Sequence, residues 1–194
     1  MEALWTKEGN ALTGTPWEDY PRPRLRRGDW LCLNGPWELR SAAGTQSVRV
    51  PFSPESLLSG VKAPPRPGEE FTCSRSIMLP DSWAGRRVLL HFGAVSRRAE
   101  VRVNGTLVCT HENGYLPFSA DVTDALRPGE NRLEVTVTND LDDRWPWGKQ
   151  TLRRGGMWYT PCSGIWQTVW AEPVPREYVR DVTVTTGPDW AELR

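Results

Sequence analysis

An excess charge of either sign is what this 194-residue sequence lacks: 24 basic side chains are matched by 24 acidic ones, and the formal net charge is zero. A chain so balanced offers no broad field to a polyanion, which argues against nucleic acid or an anionic membrane as partner. The basic stretches at Arg22 to Arg27 and at Arg153 and Arg154 read as solvated or locally paired. Histidine is scarce, with only His91 and His111 in the chain. His111 and Glu112 open like a metalloprotease helix, but Asn113, Gly114 and Tyr115 follow where a second histidine is needed. His91 alternates within an apolar strand pattern and reads as a cross-strand neighbour.

Four cysteines, Cys32, Cys73, Cys109 and Cys162, are widely separated and form no CxxC pair. Zinc and a dense disulfide framework are thereby disfavoured, and the expectation is reduced, mostly buried thiols. No phosphate-cradling glycine loop and no Ser-His-Asp elbow is present, so neither metal nor cofactor is expected. No apolar run is long enough to cross a bilayer, and the N-terminus lacks a basic region followed by an apolar stretch. The expectation is a soluble cytoplasmic product without a membrane partner, secretion of a longer parent being left open.

Aromatic residues, by contrast, are plentiful: 11 tryptophans in 194 residues, most of them expected as core or interface anchors. Short apolar runs divided by turn residues predict antiparallel β structure with little helix. Asn104 and Gly105 predict a two-residue type I′ hairpin that sets Val103 opposite Thr106 and Val101 opposite Val108. Leu133, Val135 and Val137 alternate with polar residues after the RPGEN turn, and Val88, Leu90 and Phe92 form a similar strand. Asp121 to Leu126 predicts a single helical turn capped by Asp121 or Thr123. From Ile165 to Ala171 a period of two sets Ile165, Val169 and Ala171 against Trp166, Thr168 and Trp170, with both sides suited to burial.

The loop ahead of that last strand carries the strongest functional signal. Gly155, Gly156 and Pro161 keep Met157, Trp158 and Tyr159 out of a regular ladder, and a flat ring held on a strand-anchored loop suits the apolar C–H face of a pyranose. Trp145, Trp147, Lys149, Gln150, Trp158 and Tyr159 are the candidate carbohydrate-binding residues. For Trp158 and Tyr159 a pocket rim and packing in the core or at a domain interface both stay open; Lys149 and Gln150 are either sugar donors or a solvated loop. Asp140, Asp142 and Asp143 crowd the same connection without the spacing of a calcium loop, and read as turn-capping carboxylates. Trp30, Trp37, Trp166 and Trp170 read as structural.

Several segments recur in a familiar order: PRPRLRRGDWLCLNGPWELR (residues 21–40), VPFSPESLLSG (50–60), FGAVSRRAEVRVNGTLVCTHENGYLPFSADVT (92–123), LRPGENRLEVTVTND and SGIWQTVW. Together they resemble the N-terminal sugar-binding domain of glycoside hydrolase family 2, which includes β-galactosidases, β-glucuronidases and β-mannosidases. The resemblance implies an all-β, galactose-binding-like jelly-roll β-sandwich. It divides the chain into an irregular N-terminal arm (1–20) docked by Trp5 or Trp17, the jelly roll (21–173), and a linker with the opening strand of an immunoglobulin-like domain (174–194). On that reading Val182 and Val184 lack sheet partners.

A retaining glycosidase needs two carboxyl groups roughly 5 Å apart. The resemblance places both on a later (β/α)8 barrel, so no catalytic residue is expected in this chain. Its partners would be those further domains and the β-glycoside or oligosaccharide substrate of the parent enzyme. Familiar β-galactosidase and β-glucuronidase sequences carry a substrate-contacting Asp seven residues before the Ile of the small-Gly-Ile element; here that position is Trp158, so the carboxylate does not carry over. Two other functions compete with a noncatalytic glycosidase domain: a self-sufficient carbohydrate-binding module, and a structural interaction domain whose exposed tryptophans mark a protein interface.

Overall fold

The computed structural model describes residues 6–153 and 155–194; Trp5, one of the residues expected to dock the N-terminal arm, lies outside them, as does Arg154. A short helix, α1 (Lys7–Ala11), precedes the strands. In chain order these are β1 (Leu31–Cys32), β2 (Gly35–Ser41), β3 (Gly44–Val50), β4 (Glu70–Met78), β5 (Arg87–Phe92), β6 (Val95–Ser96) and β7 (Arg98–Val103). There follow β8 (Thr106–Glu112), β9 (Phe118–Asp121), β10 (Glu130–Thr138), β11 (Gly164–Ile165), β12 (Val169–Val174), β13 (Val184–Thr186) and β14 (Ala191–Leu193).

Two antiparallel sheets face each other, one ordered β3-β2-β4-β10-β7-β8 and the other β1-β12-β5-β9. Every second residue of β10, namely Leu133, Val135 and Val137, is fully buried, as the alternation predicts. These side chains join Trp37, Leu39, Phe71, Val101 and Val103 from their own sheet and Leu90, Phe92, Val169 and Ala171 from the other in one core. That is the jelly-roll sandwich the resemblance implies, with the apolar faces of both sheets turned inward.

Three local features differ from the sequence pattern, each for a physical reason. The Asn104–Gly105 hairpin forms with both residues at positive φ, and Val103 does face Thr106. A bulge between Val101 and Arg102 then sets Val101 opposite Cys109, so Val108 is only partly buried. The stretch from Ile165 to Ala171 is two strands: β11 pairs with β6, the chain breaks at Trp166 to Thr168, and β12 continues between β1 and β5. The break is where the chain passes from one pairing partner to another. Inside the arm, expected to be irregular, Thr6 Oγ1 accepts the Gly9 amide at 2.9 Å and caps the short helix α1.

The arm is docked chiefly through Asn34, whose Nδ2 donates to the Pro16 carbonyl at 3.0 Å and whose Oδ1 accepts from Val169 N at 3.0 Å. Trp17 stays 56% exposed and leans on Phe52 at 5.8 Å. At the other end Val184 has a partner within the chain: it pairs with Leu193 in the β13–β14 hairpin, closed by Gly187 N donating to the Trp190 carbonyl at 2.9 Å. The expected turn after β9 is a single 3-10 turn at Thr123–Ala125, where Asp121 Oδ1 accepts the Thr123 amide at 3.1 Å. All four cysteines are free thiols; Cys73 alone is fully buried, and burial pushes it up to about 12.

Candidate functional site

The connection from β10 to β11 runs from Asn139 to Ser163 and gathers at one end of the sandwich. Its two ends are pinned by one side chain: buried Asn139 donates through Nδ2 to the Cys162 carbonyl at 3.1 Å. Between them two loop segments lie side by side, Thr151 N donating to the Tyr159 carbonyl at 2.9 Å and Tyr159 N to the Lys149 carbonyl at 3.1 Å. Trp158 N closes a tight turn onto the Gly155 carbonyl at 3.1 Å. This pairing brings Trp147 and Trp158 together, their rings stacked at 5.7 Å and 26°.

The six candidate residues separate into distinct roles. Trp158 and Tyr159 are 42% and 64% exposed, so they are not packed inside the core of this sandwich. Lys149 is exposed on the same loop. Trp145 sits under Arg97, whose guanidinium carbon is 5.2 Å from the ring centroid. Gln150 is the exception. It is buried, its Oε1 accepts the Cys162 amide at 2.7 Å and its Nε2 donates to the Tyr115 hydroxyl at 3.3 Å, so it braces the loop from within instead of reaching a ligand at the surface. Gly148 makes that bracing possible: at φ +65° it is left-handed, and a Cβ there would stand 2.2 Å from Tyr115 Oη.

Two of the loop's aspartates, Asp140 and Asp142, are each tied to an arginine. Both oxygens of Asp140 accept from Arg97 Nη2 at 2.8 Å. Asp142 accepts from Arg144, whose side-chain and backbone hydrogen bonds hold its carboxyl down to about 2. The Asp142 carboxylate, so depressed, is a poor proton donor near neutrality. Among the described residues no three His, Cys, Asp or Glu side chains converge.

Three site features were missed in the sequence. Arg97, between β6 and β7, and Tyr115, in the segment after β8, brace the aromatic loop, and only tertiary structure brings them there. Beside the loop a cleft of about 700 Å³ opens between Pro64 to Pro67 and Thr151, Leu152, Thr160 and Pro161. Its single carboxylate, Glu55, accepts from Ser163 N at 3.1 Å and Ser163 Oγ at 2.5 Å, which fixes the entry to β11. Trp166 is structural as expected, donating from Nε1 to the Gly114 carbonyl at 2.8 Å. His111 stacks on Phe118 at 4.2 Å.

Residues 66–193 match the family described as glycosyl hydrolase 2 galactose-binding domain-like. A β-glucuronidase from Paenibacillus borealis is 42% identical over 69 residues, covering 35% of this chain and 12% of that protein. The human β-glucuronidase is 28% identical over 135 residues, 58% of this chain and 21% of its own length. Among solved structures, a Ruminococcus gnavus β-glucuronidase superposes with a TM-score of 0.68 at 23% identity, over 87% of this chain and 34% of that one. A Dictyoglomus thermophilum β-D-glucuronidase gives 0.64 at 24% identity, over 90% and 33%. These two likenesses show the shared fold. The chain spans 12% and 21% of the lengths of the two curated relatives.

Proposed function

Because the chain belongs to the glycosyl hydrolase 2 galactose-binding domain-like family, we propose that it works as the noncatalytic sandwich of a retaining β-glycosidase, with the aromatic loop forming one wall of the substrate pocket. The observation that carries this reading is the stacked, partly exposed pair Trp147 and Trp158, held at one end of the sandwich by the Gln150 brace. Rings so presented complement the C–H face of a sugar and need no charge on the ligand.

The substrate class we assign is a β-glucuronide. In support, both curated relatives named above are β-glucuronidases, and the Ruminococcus gnavus enzyme was captured with a C6-substituted uronic isofagomine. The uronate would be recognised by groups outside this loop, since the aromatic rings of Trp147 and Trp158 carry no positive charge and the nearby Arg97 and Arg144 are already paired with Asp140 and Asp142. The two acids of a retaining mechanism would come from the rest of the longer enzyme.

A purified sample of this chain given 4-nitrophenyl β-D-glucuronide is expected to release no nitrophenol above the spontaneous rate. Turnover that persists through repeated purification would overturn the assignment. The self-contained loop also favours a second reading, a carbohydrate-binding module, which differs in affinity: a complete module binds glycans well below millimolar, whereas a single wall binds weakly.

A further inference from the structure

On the outer face of the four-stranded sheet, away from the aromatic loop, a carboxylate is wholly buried: Glu172 of β12 is 0% exposed. A buried charge persists only when it is paired and hydrogen-bonded. Tyr20 Oη donates to Glu172 Oε2 at 2.6 Å, Arg27 Nε donates to Oε1 at 3.0 Å, and Arg22 donates to the same oxygen. His91 Nε2 lies 3.1 Å away, outside hydrogen-bond geometry, with its ring stacked on Trp170 at 4.8 Å. The donors at Tyr20, Arg22 and Arg27 all come from the segment just before β1.

Arg27 does more than neutralise Glu172. Its Nη2 donates to the Val179 carbonyl at 2.9 Å, and its guanidinium carbon lies 5.3 Å from the centre of the Tyr178 ring. Tyr178, Arg180 and Asp181 thus cover one side of a cleft of about 560 Å³ whose floor includes Trp170 and Glu172. We propose that this cleft is an intramolecular docking seat, in which Arg27, held by Glu172, latches the segment Tyr178 to Asp181 and so fixes the direction in which the chain leaves the sandwich after β12. Among the described residues Tyr178 to Asp181 joins no strand and makes no backbone–backbone hydrogen bond, so its path rests on side-chain contacts such as those of Arg27.

The latch depends on the fork of arginine, because one group reaches two acceptors on different elements at once. A lysine ammonium at the same position can serve Glu172 or Val179 but lacks the planar fork that spans both. The test is limited chymotrypsin digestion, with cleavage after Tyr178 followed by mass spectrometry and thermal unfolding measured in parallel. Arg27→Met and Arg27→Lys are each expected to raise the rate of that cleavage about tenfold, while Arg24→Met, an exposed neighbour, leaves it unchanged. If Arg27→Met does not fold, Arg27→Lys, which keeps the charge beside Glu172, decides alone. Cleavage at the parental rate in Arg27→Lys, or a fall in melting temperature with no preference for Tyr178, would overturn the latch and leave Glu172 as a staple of the sandwich only.

Discussion

Trp147 and Trp158 are stacked at 5.7 Å although eight of the ten residues between them are polar or glycine, and what joins them is the paired course of the chain at Lys149 to Thr151 and Tyr159. The aromatic pair is therefore a product of loop architecture. Its integrity depends on residues that touch no ligand.

Gly148 is the first of these. Alanine there would adopt a left-handed backbone and drive its Cβ against Tyr115 Oη. The expected cost is about 1–3 kcal/mol of local order, read as a weakened near-ultraviolet dichroism from the stacked indoles, with the β-sheet signal in the far ultraviolet unchanged. An unchanged near-ultraviolet spectrum would mean that the loop does not need the close approach.

Asn34 holds the N-terminal arm against the sandwich. Asn34→Ala removes the acceptor of the buried Val169 amide and the donor to the Pro16 carbonyl. Leaving one buried amide unpaired costs about 1–3 kcal/mol. Urea unfolding should show that loss as a lower midpoint. Trypsin is expected to cut sooner at Lys7, which lies in the arm.

Acid should weaken the fold through Glu172. Burial alone would raise its carboxyl, but the Tyr20 hydroxyl and the Arg22 guanidinium, both donating to it, outweigh that and hold it down to about 2, below its ordinary 4.5. A group depressed on folding contributes stability above its unfolded value and loses it as pH falls toward the folded one. The Glu172 contribution is thus present above pH 4.5 and disappears between 4.5 and about 2. His91, pulled below 6.5 mainly by burial, acts in the same direction, starting at that higher pH. Urea midpoints measured from pH 7 downward should fall, and Glu172→Gln should start lower and flatten the part below 4.5. An equal slope in the variant would place the acid sensitivity elsewhere.

The strands were legible because period-two alternation at Val88 to Phe92 and Leu133 to Val137 needs only a buried face and a wet one. Register was less so. The bulge at Val101 and Arg102 and the split between β11 and β12 are decided by which strand lies alongside, and no local pattern carries that information. In the site, the aromatic residues announced themselves by composition, whereas Gln150 looked like a surface donor and proved to be a brace. Arg97, Tyr115 and Glu55 were invisible as site residues, since each reaches the loop from a distant part of the chain. Glu172 was hidden inside an apolar strand, and only its gathering of Tyr20, Arg22 and Arg27 gives it a role.

The most direct test of the aromatic wall is a nuclear magnetic resonance titration of the indole-labelled chain with methyl β-D-glucuronide. The account predicts that the Trp147 and Trp158 indole signals move together with a dissociation constant of about a millimolar or weaker, and that Trp158→Ala abolishes the shift at Trp147. Shifts confined to other tryptophans, or a Trp147 response that survives Trp158→Ala, would contradict it.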